Sequence, residues 1–216
     1  MAREKLAIFG FGGLAKEIGA GLLTDSYTES YDFLGFFVDS QYAKKGDCNE
    51  IGSVIGNMDD LNSWTEPINI VVALGYPKGL KSVVSRISNP NINFPNLIHR
   101  TVIISHADSF HIGKGNIFMR ECGVSVNNKF GNFNFFNTGV RFGHDDVVGD
   151  FNSFMPYTAV SGNVHIGDYN LFGVGSIIIE KLNIGNNVTL SPGSVLLTKP
   201  KDNGLYIGNP AKIMKY

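Results

Sequence analysis

The chain has 216 residues, 43% of them hydrophobic, with 18 Lys+Arg against 19 Asp+Glu and a net charge of −1. That length fits one ordinary domain or two small ones with a real core, and the apolar content excludes disorder. Near-neutral charge without a Lys/Arg run leaves no electrostatic footprint for nucleic acid or an acidic membrane surface.

The N-terminus, MAREKLAIFG, enters a strand pattern without a long apolar leader, and no apolar stretch approaches the ~18 residues of a membrane span. Cys48 and Cys122 are too few for a disulfide framework, so the expected compartment is a reducing cytoplasm. Leu6–Phe9 reads as a short buried strand. Gly10-Phe11-Gly12-Gly13-Leu14-Ala15 follows, then a helical run from Lys16 through Leu23. This is G-x-G-x-x-A between strand and helix, where glycines let backbone N–H groups approach phosphates. A second strand, Phe33–Val38, ends at Asp39. A third, Ile68–Leu74, ends at Gly75, ahead of a helix near Lys78–Ile87. Asp39 and Gly75 thus stand at carboxyl ends of strands, where open α/β sheets bind ligands. Residues 1–95 are expected to form a Rossmann-like α/β domain. Its three or four strands suit a mononucleotide or nucleotide-linked ligand better than a dinucleotide, which uses two mononucleotide halves.

From Ile112 onward the period changes. Stepping by six gives Ile112, Phe118, Val124, Phe130, Phe136, Phe142, Val148, Phe154, Val160, Ile166, Phe172, Ile178, Ile184, Leu190 and Leu196, all large and apolar. By chance such a run has a probability on the order of one in 10⁴ to 10⁵. Glycine follows the anchor at 113, 131, 143, 149, 167, 173 and 185, and Asn or a small residue often stands two before it. These residue types accept left-handed or tightly turned backbone, so they are expected to make the corners. Neither a helix nor a plain strand has this period; a parallel β-helix does.

The pattern resembles the hexapeptide repeat of left-handed β-helix acyltransferases, whose coils have three six-residue sides. The register covers residues 106–197, about five coils without an insertion. The ending Gly208-Asn209-Pro210-Ala211-Lys212 is similar to the tail that closes those enzymes beside coenzyme A. A Rossmann-like domain joined through Asn89–Ile103 to a β-helix, here residues 96–216, is similar to the PglD/NeuD-type sugar acetyltransferases. Handedness comes from the resemblance alone.

With Phe142 inward, His144 follows a corner and reaches the outer face. Stacking places residue i beside i+18, so Gly162 lies over His144 and Val126 under it. A glycine there leaves a slot and an accessible amide, suited to a thioester oxyanion. The stretch Asn137-Thr138 to His144-Asp145 is similar to the family motif in which the histidine is general base and the adjacent acid raises its basicity. The resemblance thus implies a catalytic set of His144, Asp145 and Asn137. It implies acetyl-CoA contacts at Ser153, Gly162, Val174 and Pro192, with Ser153 replacing a second family histidine. It places the nucleotide-linked amino sugar at Gly12, Gly13, Leu14, Asp39, Ser40, Gly75 and Lys78. A homotrimer with the site between neighbouring helices is implied too.

The implied activity is N-acetylation of an amino-deoxy sugar in a glycan pathway. O-acetylation of a sugar or serine-like hydroxyl on the same scaffold is the alternative. A non-catalytic or NAD-binding protein is the competing class, with Asp39 on a ribose hydroxyl. No metal is expected: His106 and His111 have plausible spacing, but Gly149 stands where a partner for His144 would be needed.

Overall fold

A computed structural model describes residues 3–214. The chain divides into two compact units, Met1–Leu97 and Ile98–Tyr216. No helix among the described residues is long and apolar enough to cross a membrane.

The first unit contains β1 (Glu4–Phe9), α1 (Gly13–Leu23), β2 (Tyr31–Phe37), β3 (Val54–Gly56), α2 (Met58–Asn62), β4 (Ile68–Val72), α3 (Pro77–Val84) and β5 (Ile92–Asn93). The five strands form one parallel sheet in the order β3-β2-β1-β4-β5. β4 is buried at every position, as a strand covered on both faces must be. α1 buries Ala15, Ile18 and Leu22, and α2 is opened by a capping box from Asn57. Five strands exceed the three or four read from the sequence. β3 and β5 are three and two residues long, too short to show a period. α3 also stops at Val84, before the expected Ile87.

The strand order reverses beside β1, so a crevice opens at the carboxyl ends of β1, β2 and β4. Gly10 closes it from below. Its φ is +131°, its N–H donates to Phe37 O at 2.8 Å, and an added Cβ would lie 3.1 Å from Ala73 O. Only glycine meets both demands.

The second unit is a three-sided solenoid of short parallel strands, most of them two residues long. The first side holds six strands, including Gly123–Val124, Arg141–Phe142 and Ala159–Val160. The second holds five, including Lys129–Phe130, Val147–Val148 and His165–Ile166. The third holds eight, including Phe135–Phe136, Ser153–Phe154 and Leu171–Phe172, and ends in an antiparallel pair, Leu205–Ile207 with Lys212–Ile213. The anchors of the six-residue register are the second residues of the strands from His111–Ile112 to Val195–Leu196. On the third side they stack as a column of rings: Phe118, Phe136, Phe154 and Phe172, with centroids 4.0, 5.2 and 4.8 Å apart.

The corners differ from the sequence expectation. Left-handed backbone lies neither at the glycines after the anchors nor at the residues two before them. It lies between, every six residues from 115 to 193, with φ from +54° to +72°. Glu121, Phe133, Phe151, Tyr157, Tyr169 and Lys181 are among these residues. Two interactions offset the strain. Their N–H groups bond the coil below, as Phe133 does to Lys114 O at 2.9 Å. Phe133, Phe151 and Tyr169 also stack on one another at 5.1 and 5.6 Å.

The glycines after the anchors serve close approach instead. A Cβ on Gly131 would lie 2.7 Å from Gly149 O, and one on Gly143 would lie 2.5 Å from Gly162 N. The residues two before the anchors carry hydrogen bonds. At the corner between the second and third sides, Asn116, Asn134, Asn152 and Asn170 form a buried ladder. Each Oδ1 accepts the N–H of the next rung, and each Nδ2 donates to the carbonyl fifteen residues ahead. Buried amides are thereby satisfied without water.

Candidate active site

The corner between the first and second sides carries His144. Its side chain is 62% exposed, and Nδ1 lies 2.7 Å from Asp145 Oδ2. Asp145 has φ +61°, a conformation Asp tolerates better than most residues. Its other oxygen accepts Asn127 Nδ2 at 3.0 Å from the coil below. The hydrogen bond with His144, then that with Asn127, holds the Asp145 carboxyl below the usual carboxylate range. The pairing therefore favours Nδ1–H on the imidazole and leaves Nε2 as the proton acceptor.

Gly162 lies against that free edge. A Cβ there would sit 2.7 Å from His144 Nε2 and 2.9 Å from Cε1. Stacking of the coils is direct: Asp145 N–H donates to Val126 O at 3.0 Å and Asn163 N–H to His144 O at 2.7 Å. Among the described residues, nothing accepts the Gly162 N–H. A basic nitrogen and an unused amide donor therefore share one corner. That pairing suits a carbonyl that must accept a nucleophile and hold a developing oxyanion.

The remaining residues of the second unit lie elsewhere on the triangle. Asn137, Val174 and Pro192 occupy the corner between the third and first sides; Asn137 Oδ1 accepts its neighbour's N–H from Thr138 at 2.7 Å. Ser153 is fully buried on the third side, and its Oγ has no hydrogen-bond partner among the described residues. Within one chain these four do not come together with His144 and Gly162. Cys122 is core: burial pushes its thiol up to about 12, and Sγ donates to Asn137 O at 3.2 Å. His106 Nδ1 bonds Ser109 Oγ at 3.1 Å.

The first unit has a cavity of about 670 Å³ above Gly10, lined by Gly12 and Asp39 together with Phe11, Tyr42 and Arg86. Ser40 lies in an adjoining hollow and accepts Asn57 Nδ2 at 3.1 Å. Gly13, Leu14, Gly75 and Lys78 do not line the cavity. The residue missed by sequence reasoning is Arg86. Its guanidinium grips both Asp39 oxygens, at 3.0 and 2.7 Å, and that hydrogen bonding raises its already high pKa. No local motif announces it, because it lies just past α3, 47 residues from its partner. An arginine–carboxylate fork at a cavity mouth offers N–H donors and lone pairs together, suited to a polar ligand edge.

A three-sided hexapeptide solenoid is also the fold of the similar solved structures. They are sugar N-acetyltransferases of the hexapeptide-repeat, left-handed β-helix type. The acetyltransferase domain of PglB from Neisseria gonorrhoeae FA1090, in complex with acetyl coenzyme A, is 27% identical with a TM-score of 0.86. The match covers 99% of this chain and 100% of that one. A variant of perosamine N-acetyltransferase from Caulobacter crescentus, in complex with CoA and GDP-perosamine, is 23% identical with a TM-score of 0.87, over 100% of this chain and 99% of that one. WeeI from Acinetobacter baumannii AYE is 23% identical with a TM-score of 0.85, over 98% and 100%. The last two likenesses are of fold. No protein-family model and no curated protein matches the chain.

Proposed function

We propose that this chain moves an acetyl group from acetyl-CoA to the amine of a nucleotide-linked amino-deoxy sugar. The observation that carries the reading is the His144–Asp145 pair set against Gly162 on a solenoid similar, over its whole length, to an acetyl-CoA-bound acetyltransferase domain. The neutral sugar amine attacks the thioester carbonyl and a C–N bond forms. The carbonyl oxygen becomes an oxyanion, which the Gly162 N–H stabilises. His144 Nε2 takes the proton that the amine nitrogen sheds, and Asp145 holds the ring by Nδ1. The C–S bond then breaks, thiolate leaves as free coenzyme A, and no covalent enzyme intermediate is needed. Acetyl-CoA as co-substrate fits a cytoplasmic enzyme. The direct test is a panel of nucleotide-linked amino sugars incubated with acetyl-CoA while thiol release is followed. Release with no member of the panel above the hydrolysis rate would end the reading.

The first unit serves in this reading as a Rossmann-like holder for the nucleotide sugar, around Gly12 and Asp39 and beside Arg86. Asp39→Ala is expected to weaken binding of the sugar nucleotide by about tenfold or more, the worth of a charged hydrogen bond, and to leave acetyl-CoA affinity unchanged. Separate calorimetric titrations read both. Tight binding of NAD with no binding of any nucleotide sugar would favour the non-transferase class instead.

The reading also asks for a second copy of the chain. Val174 and Pro192 lie one corner away from His144 and Gly162, so a cofactor touching all four has to bridge corners of neighbouring solenoids. A cyclic trimer closes such corner-to-corner contacts. Sedimentation at micromolar concentration should show a trimer; a stable monomer would remove the shared site.

A further inference from the structure

The corner that carries His144 has a side-chain ladder of its own. The register position filled elsewhere by Asn116, Asn134, Asn152 and Asn170 is filled here by Asn128, Asp146 and Val164. Asn128 behaves as the other asparagines do: Nδ2 donates to Gly143 O at 2.8 Å and Oδ1 accepts Asp146 N–H at 3.0 Å. Asp146 completes only half of the pattern. It is fully buried, and its Oδ1 accepts Val164 N–H at 2.8 Å. Its Oδ2 takes the place of an amide nitrogen, is buried, and has no hydrogen-bond partner among the described residues. Every asparagine in this register sends that nitrogen to the carbonyl fifteen residues ahead. For Asp146 the corresponding carbonyl is that of Ser161, to which no described residue donates. A carboxylate there would set a charged oxygen against a carbonyl oxygen with no donor from the described residues between them, which is costly.

We propose that Asp146 is held as a neutral carboxylic acid whose Oδ2–H donates to the Ser161 carbonyl, and that this proton fixes the turn presenting His144. The first half stands on the ladder alone; the second rests on the acetyltransfer reading. Burial pushes the Asp146 pKa up to about 7. The charged groups that act on it are His144, which favours ionisation, and Asp145, which opposes it. The coils above and below offer Val164 and Asn128, and the backbone N–H groups of Val164 and Gly143 favour ionisation without offsetting the burial. An unfolded aspartate titrates near ~3.9. Between about pH 4 and pH 7 the folded chain therefore holds a proton that the unfolded chain has lost, so folding loses stability as pH rises through that window. Above it the loss is complete.

Asp146→Asn puts a permanent donor at the orphaned position, and it separates the two halves. Thermal unfolding of both proteins near pH 4 should give midpoints that agree. By pH 8 the variant should unfold higher by about 5–10 °C. Asp146→Val, which removes the ionisable group but offers no donor, should flatten the same pH dependence without the full gain. A variant no more stable than the parent at pH 8, or a gap equal at all pH values, overturns the neutral acid. The alkaline limb of the acetyltransfer rate should move up by about one pH unit in Asp146→Asn. A stability gain with an unmoved limb overturns the positioning role. If neither protein transfers acetyl groups while the stability gap is present, the acetyltransfer reading falls, the positioning role with it, and the neutral acid stands.

Discussion

Replacing His144 by alanine is expected to lower turnover by ~10²–10⁴, the usual worth of a positioned general base, while both substrates still bind. The side chain is 62% exposed, so its truncation opens no cavity and the fold should survive. Asp145→Ala should cost less, because Nε2 remains. The Asp145 carboxyl is held low chiefly by its hydrogen bond to His144. Through that bond the carboxylate holds the ring by Nδ1, so its loss should lower turnover while leaving substrate binding in place. Gly162→Ala should give a loss of the same kind with an intact fold, since its Cβ would come 2.7 Å from Nε2 and turn the ring aside. A His144→Ala protein with ordinary turnover on an amino-sugar substrate would refute the assignment.

Phe154→Ala should cost about 3–5 kcal/mol of stability, as large-to-small changes in packed cores do. Phe154 is fully buried, stacks on Phe136 and Phe172 at 5.2 and 4.8 Å, and meets the edge of Phe142 at 5.0 Å. Coils pinned on each side by strand pairing cannot close on the gap, so the cavity should persist. A urea midpoint that falls at unchanged slope would report this. A loss below ~1 kcal/mol would mean that neighbouring rings refill the space.

The solenoid was legible because its interior admits one large side chain per six residues, and Phe118, Phe136, Phe154 and Phe172 have no alternative place to go. The nearness of His144 and Gly162 was legible for the same reason, since eighteen residues complete one coil. The corners were not legible. Their left-handed residues include Phe133, Tyr169 and Lys181, whose identities reflect stacking and outward exposure rather than backbone preference. Composition therefore pointed to the glycines, whose task is close approach. In the first unit β3 and β5 left too few residues to form a pattern. Arg86 was hidden for another reason: its meaning depends on Asp39, which is near only after the sheet has formed.

A solenoid without an excursion turns residue number into a spatial coordinate. Six residues carry the chain to the next side, and eighteen lift it by one strand spacing, ~4.8 Å. Gain or loss of a whole coil would therefore keep every side facing as it did and change only the height at which His144 stands. An insertion of any other length would rotate everything beyond it, turning outward rows toward the core and taking Gly162 away from the imidazole. Such a chain can grow by whole storeys. It has little freedom to lengthen a single wall, and its chemistry is confined to what three corners can display.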